Sequence, residues 1–269
     1  MNFLPEALAS LQTQTFQDFR LLIIDNASDD GVEAFVRKSY PKAVYLRNPR
    51  NLGFCTAHNQ GIRYALEHMD VTARFDHYIL VMNPDLLLTP SCLEELVSMA
   101  DTDSHAGAFG PKLMRALRQV DPTDALRDTV RSDVIDSTGL SLHKTRRATD
   151  RGAGEIDRGQ YDESTSVFGL SGAFVMYRAS ALDSVRDRDN FFDDNFFAYK
   201  EDVDLAWRLQ NAGWDARYVP HAVAYHYRGM YGKERLGIFA RMKDRMGKSK
   251  KRRYYSARNH WYTLIKNER

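Results

Sequence analysis

The run Tyr78-Ile79-Leu80-Val81-Met82, leading directly into Asn83-Pro84-Asp85, constrains this chain more than any other stretch. Five apolar residues without polar alternation fit a strand covered on both faces, as in a parallel sheet between helices. Pro84 and Pro90 cannot continue a strand ladder. The strand is therefore expected to end near Met82 and to place Asp85 on the loop beyond its C-terminal edge. Ligands of open α/β sheets bind at that edge, and a carboxylate there can hold a hard divalent cation against a phosphate. Asn-Pro-Asp is equally a turn-forming sequence that needs no chemistry.

The flanking segments supply the rest of such a sheet. Residues 4–14 carry Leu4, Ala7, Leu8 and Leu11 on one helical face, with Pro5 in the first turn. A short apolar run over 19–24 stops at the polar loop Asp25-Asn26-Ala27-Ser28-Asp29-Asp30-Gly31, and a helix through Phe35 and Val36 follows. A brief strand over 43–46, a turn through Asn51 and Gly53, a helix over 55–68 and a capped helix around 93–99 complete the alternation. This order argues for an α/β fold with a doubly wound, mostly parallel sheet flanked by helices. Residues 115–166 are polar and weakly periodic and read as a long functional or mobile loop. Beyond them, 168–177 read as a strand whose glycines, Gly172 among them, admit a close backbone or ligand. A helix opens at Glu201-Asp202-Val203-Asp204 and stops at Gly213. Short strands follow on either side of Pro220.

The 269 residues suffice for one large α/β domain with a full core. No stretch approaches the ~18 apolar residues of a membrane span. Cys55 and Cys92 form no metal or disulfide pattern, so a reducing cytoplasm is the expected compartment. The net charge of +2 hides an asymmetry, because residues 233–258 hold eleven Lys/Arg against two acidic residues. A basic tail on an acidic body points to an anionic partner. Leu236, Phe239, Met242 and Met246 recur in it at helical spacing. This divides the chain into an α/β body over 1–230 and a basic helical extension over 231–269. A solvated helix and a helix lying on anionic lipid both fit that extension, the latter making the protein peripheral at the inner membrane face. Nucleic acid is not expected, because no recognised binding module accompanies the charge.

Asp25, Asp85 and Asp202 each end an element on what could be one edge of the sheet, with His226 downstream. Such a set suits a metal-dependent reaction on a nucleoside diphosphate derivative. Spacing alone does not choose between glycosyl transfer, nucleotidyl transfer and hydrolysis.

Seven stretches, in order, carry a resemblance: LQTQT at 11–15, IIDNASDDG at 23–31, NLGFCTAHNQG at 51–61, LVMNPD at 80–85, GLSGAFVMYR at 169–178, FAYKEDVDLAWRL at 197–209 and YVPHAVAYH at 218–226. The chain resembles the family 2 inverting glycosyltransferases, in their bacterial rhamnosyltransferase-like branch. That resemblance implies the nucleotide-diphospho-sugar-binding fold called GT-A. It assigns Asp25 and Asn26 to base and ribose, with Asn51, Gly53, Asn83 and Gly172 around the donor. Asp85 matches the last acid of the family's Asp-x-Asp metal motif, and Asn83 replaces the first. His226 completes the metal or diphosphate site, with His221 a weaker candidate. Asp202 is the implied catalytic base, Glu201 orients it or the acceptor, and Asp204 supports the helix start.

The implied cofactor is Mg2+ or Mn2+, and the donor a nucleotide sugar of which dTDP-rhamnose is one. The implied acceptor is a saccharide or a polyprenyl-diphosphate-linked glycan of the cell surface. The Arg258-Asn259-His260-Trp261 stretch resembles the Arg-Asn stretch near the end of related transferases. One departure stands out: family members begin with a buried strand, whereas here Met1-Asn2 leads almost directly into the first helix. A shortened chain or a sheet closed differently would account for it. A non-catalytic nucleotide-sugar-binding relative and a nucleotidyltransferase are the alternatives.

Overall fold

The computed structural model describes residues 2–68, 77–118, 129–227 and 250–268. The N-terminal half alternates as its periodicity requires. It runs α1 (Leu4–Gln12), β1 (Leu22–Asp25), α2 (Val32–Ser39), β2 (Val44–Arg47), α3 (Phe54–Glu67), β3 (Tyr78–Met82), β4 (Leu86–Leu88) and α4 (Cys92–Thr102). The second half is strand-rich: β5 (Ala106–Arg118), β6 (Thr129–Ser137), β7 (Leu140–Leu142), β8 (Ala148–Asp150), β9 (Ser166–Val167) and β10 (Phe174–Arg178). It closes with α5 (Ala179–Ser184), α6 (Glu201–Asn211), β11 (Asp215–His226) and α7 (Lys250–Asn267).

The central sheet has seven strands, five of them in the order β3-β10-β5-β11-β4, with β6 added on β5 and β9 on β11. It is mixed where the sequence reads as mostly parallel. β1 pairs β2 and β5 pairs β11 in parallel, but β10 runs antiparallel to both β3 and β5, and β11 antiparallel to β4. A parallel neighbour needs a crossover of a dozen or more residues, usually a helix, and beyond α4 the strands follow one another mostly without one. Among the described residues β1 and β2 form a separate parallel pair, and α3 lies against both β1 and β3.

Apolar side chains fill both faces of this sheet. Ile79 and Val81 join a core with Cys55, Ile62, Val175, Leu182, Phe192 and Leu205 on one side. Tyr78, Leu80 and Met82 meet a second core built from Leu8, Leu11, Val36, Leu96, Phe109 and Phe174. β3 is thus apolar on both faces, as its unbroken run requires, and half-buried on the second because it lies at the end of the sheet order.

Three expectations are corrected. Residues 115–166 are not one loop: the end of β5, then β6 and the β7–β8 hairpin occupy much of them. Their alternation is short and interrupted by charge, and it becomes legible only through pairing with β5. The two strands around Pro220 are one strand, β11, whose register slips between Val219 and Val223. Proline cannot donate to the ladder, so the strand bulges there and resumes. The strand expected over 168–177 begins only at Phe174, after a turn through Gly172. The apolar stripe expected at Leu236, Phe239, Met242 and Met246 lies outside the described residues.

Candidate active site

The site forms around the C-terminal edge of β3. Asn83 N–H donates to the Ala173 carbonyl at 2.8 Å, which fixes residues 171–173 beside that edge. The next N–H, that of Gly172, donates to Asp202 Oδ2 at 3.1 Å. A Cβ on Gly172 would lie 3.2 Å from the Asp202 Cβ, so the bare backbone permits the close approach. Asp202 Oδ1 accepts the Val203 N–H at 2.8 Å, in the first turn of α6. Asp202, thirty positions beyond Gly172, is thereby tied through Gly172 and Ala173 to the backbone of Asn83.

Asp85 faces His226 on the other side of the same loop. The Asp85 carbonyl accepts the Tyr227 N–H at 3.0 Å, tying the loop to the end of β11. His226 Nε2 lies 3.4 Å from Asp85 Oδ2, and its Nδ1 lies 2.8 Å from Asp136 Oδ2. Burial opposes a charge on this imidazole, yet the hydrogen bonds to Asp136 and Asp85 outweigh it and push its pKa up to about 9. Arg115, the β5 residue paired with His226, brings its Nε within 3.8 Å of Asp136 Oδ1. His221 is exposed on the β11 bulge and does not join this set.

The Asp85–His226 pair fits a hard divalent cation in one respect and is sparse in another. A carboxylate and an imidazole face one another, and the outer ring nitrogen is anchored on a buried carboxylate, as in metal sites with oriented histidines. No group of three or more His, Cys, Asp or Glu able to hold a metal occurs among the described residues. Asn83 supplies no charge, so oxygens of a bound diphosphate would have to complete the shell.

A second loop lies at the end of β1. Asp25 is buried, and its carboxylate accepts the Tyr45 hydroxyl at 2.6 Å and the Ser28 N–H at 2.9 Å, with Arg47 Nε 3.5 Å away. Burial raises its pKa, but those hydrogen bonds and the Arg47 charge prevail and hold it below the usual carboxylate range. Asn26 Nδ2 donates to the Gly53 carbonyl at 3.0 Å, and its Oδ1 accepts from Asn48 and Leu52. Asn51 Oδ1 accepts the Gly53 N–H at 2.9 Å. These amides brace the 48–53 turn against β1. Gly53 has φ +86°, and a Cβ there would come within 2.5 Å of the Phe197 ring. Phe197 belongs to the loop that leads into Glu201 and Asp202, so this turn touches that loop.

Glu201 is buried beside Asp202, and its Oε2 has no hydrogen-bond partner among the described residues. Burial raises the pKa of both acids. The neighbouring Asp202 charge raises Glu201 further, to about 8. Two adjacent buried acids disfavour double ionisation, so the pair holds a proton more readily than either acid would in water. Asp204 does more than support a helix start: fully buried, it accepts from Arg208, Lys266 and Asn267 and joins α6 to α7. Asp136, Arg115 and Asn259 escaped the sequence reading of the site. Asp136 lies in a segment that read as loop, and nothing in its local sequence marks it.

The fold is that of GT-A glycosyltransferases: the structure of GalNAc-T7 with UDP, GalNAc and Mn2+ superposes with a TM-score of 0.63 at 10% identity, over 86% of this chain and 42% of that one. Staphylococcus aureus TarS residues 1–349 with UDP superposes at 0.53 and 16% identity, over 84% and 56%. The chain belongs to glycosyl transferase family 2, whose pattern it matches over residues 2–186. It is 31% identical over 224 residues to the N-acetylglucosaminyl-diphospho-decaprenol L-rhamnosyltransferase of Mycobacterium tuberculosis, covering 82% of this chain and 70% of that protein. Rhamnosyltransferase WbbL of Escherichia coli K12 is 29% identical over 170 residues, covering 63% and 60%.

Proposed function

We propose that this protein is an inverting rhamnosyltransferase that uses a nucleotide-diphosphate donor, dTDP-rhamnose, and a polyprenyl-diphosphate-linked saccharide as acceptor. The observation that carries this reading is the hydrogen-bonded link from Asn83 at the end of β3, through Ala173 and Gly172, to the Asp202 carboxylate. The names of the two rhamnosyltransferases support the sugar, and that of the mycobacterial protein supports the acceptor class.

Asp202 takes the proton from an acceptor hydroxyl as that oxygen attacks the anomeric carbon from the face opposite the diphosphate. The bond from that carbon to the phosphate oxygen breaks, and its electron pair leaves with the nucleoside diphosphate. One in-line displacement inverts the anomeric centre. A carboxylate whose pKa is raised by burial is a better base than an exposed one, and the hydrogen bonds from Gly172 and Val203 orient Asp202. Asp85 and His226 would hold Mg2+ or Mn2+, which supplies charge stabilisation to the departing diphosphate. Asp25 and Asn26 present the loop that receives the nucleoside.

The outer face of α7 suits a peripheral contact with the membrane that carries such an acceptor. Tyr254, Trp261 and Ile265 are 61%, 64% and 78% exposed and fall on one helical stripe. Lys250, Lys251, Arg252 and Arg253 precede it, and α7 contains no acidic residue. Among the described residues no helix is long and apolar enough to cross a membrane.

Incubation with dTDP-rhamnose, Mn2+ and a polyprenyl-diphosphate-linked N-acetylglucosamine tests the reading. Release of dTDP with an inverted glycosidic product is expected, with Asp202→Asn reducing turnover ~10²- to 10⁴-fold. Release of rhamnose 1-phosphate, by attack at the nucleoside-bearing phosphorus, would instead mean nucleotidyl transfer. Equally slow release from wild type and Asp202→Asn would mean a non-catalytic binding relative.

A further inference from the structure

The loop that delivers Asp202 gathers three of the positive-φ non-glycine residues of the described structure. Phe197, Tyr199 and Lys200 have φ of 61°, 72° and 73°, three non-glycine residues within four positions in a region that L side chains avoid. Such a loop persists only where its surroundings dictate it. One side is held by the donor-binding turn, where the Phe54 N–H donates to the Phe197 carbonyl at 2.7 Å. The other side is held by α7.

Asn259 of α7 is fully buried, and its amide nitrogen donates to three carbonyls of that loop: Phe196 at 2.9 Å, Ala198 at 2.9 Å and Tyr199 at 2.7 Å. Its Oδ1 accepts Arg258 Nε at 3.0 Å, and Arg258 also donates to the carbonyls of Phe196 and Asn195. The Tyr255 ring stacks on Phe197 with centroids 5.3 Å apart. A helix docked for stability buries apolar side chains, whereas the buried residues of α7 are Asn259, Thr263 and Asn267. Directional polar contacts fix geometry more than they add stability.

We propose that Asn259, braced by Arg258, is a positioning residue for glycosyl transfer: it holds the strained 196–200 loop in the conformation that sets Asp202 against Gly172. This rests on the reading of Asp202 as the base. α7 is then a wall of the active site, and the base depends on a helix about sixty positions further along the chain. Loss of the Asn259 amide frees three carbonyls at once, and the loop relaxes toward ordinary dihedrals while the Asn26–Asn48–Gln60 network of the nucleotide loop stays intact. The loss therefore falls on kcat, and donor KM changes little.

The test compares Asn259→Ala and Asn259→Ser with Thr263→Val in the full chain. Thr263 is a buried neighbour on the same helix whose hydroxyl donates to the Asn259 carbonyl without touching the loop. Expected is a fall in kcat of about tenfold or more for both Asn259 variants, with donor KM within about threefold, since small misplacements of a catalytic group are costly. Faster amide exchange over 196–203 should accompany it. Thr263→Val should lower the melting temperature yet keep kcat within about twofold. Unchanged kcat in Asn259→Ala, or equal losses of kcat and melting temperature in Asn259→Ala and Thr263→Val, overturns the proposal. Should neither Asn259 variant fold, the half-buried Arg258→Ala reads the same loop, and wild-type kcat there overturns it. Asp202→Asn run in parallel separates the two ideas. Full activity in Asp202→Asn refutes the base, whereas an inactive Asp202→Asn beside a fully active Asn259→Ala refutes only the positioning role.

Discussion

His226 Nδ1 lies 2.8 Å from Asp136 Oδ2, although the two residues are ninety positions apart. Asp136 is 1% exposed, so this hydrogen bond is shielded from water and sets the ring's orientation. With the Nδ1 proton directed at Asp136, Nε2 faces Asp85; the raised pKa keeps a proton on it, and a cation bound with the donor diphosphate would displace that proton to reach the Nε2 lone pair.

Asp136→Asn keeps an acceptor at this place and removes its charge. Mn2+ affinity in the presence of dTDP should fall about 10- to 100-fold, read by electron paramagnetic resonance or calorimetry without any turnover. Affinity within twofold of wild type would show that His226 needs no orienting carboxylate.

Glu201 predicts the pH dependence of stability. Its pKa is raised in the folded protein, so its contribution is fully present below its ordinary value of 4.5 and is lost as pH rises toward about 8. Glu201→Gln cannot titrate. Melting curves of the metal-free protein from pH 4.5 to 8.5 should show the variant losing less stability than wild type as pH rises, and exceeding it at the alkaline end. Parallel curves would mean that Glu201 is already ionised at neutral pH.

Gly53→Ala strains the donor side of the site twice, through the positive φ and through the Phe197 ring 2.5 Å from the added Cβ. A loss of ~1–3 kcal/mol in unfolding free energy is expected, together with weaker binding of dTDP. Unchanged nucleotide affinity by titration would place the donor away from the 48–53 turn.

Trp261→Ser with Ile265→Ser removes two of the most exposed apolar side chains on α7 without touching Asn259. Flotation with vesicles containing phosphatidylglycerol should show lipid association falling at least severalfold, and high salt should weaken what remains. Equal flotation of wild type and variant would argue that this stripe is only a solvated face.

Sequence alone determined most of the element order in the N-terminal half. The unbroken apolar run of β3 and the amphipathic periods of α1, α3 and α4 are local signals, because burial of a whole face is written in adjacent residues. Asp25, Asp85, Asp202 and His226 stood out as candidates through their motifs, and the structure places each at or beside the end of an element. Tertiary structure alone decided the rest. β6 read as loop because its strand character comes from pairing with β5, and the single β11 became visible only once its Pro220 bulge was bridged by the same neighbour. Asp136 and Asn259 act on groups ninety and about sixty positions away, and no local pattern encodes such a distance. Asn83-Pro84-Asp85 shows the division most plainly. The strand before it and the turn within it follow from five apolar residues and a proline, whereas its place between a buried carboxylate–imidazole pair and a strained loop is fixed by long-range hydrogen bonds.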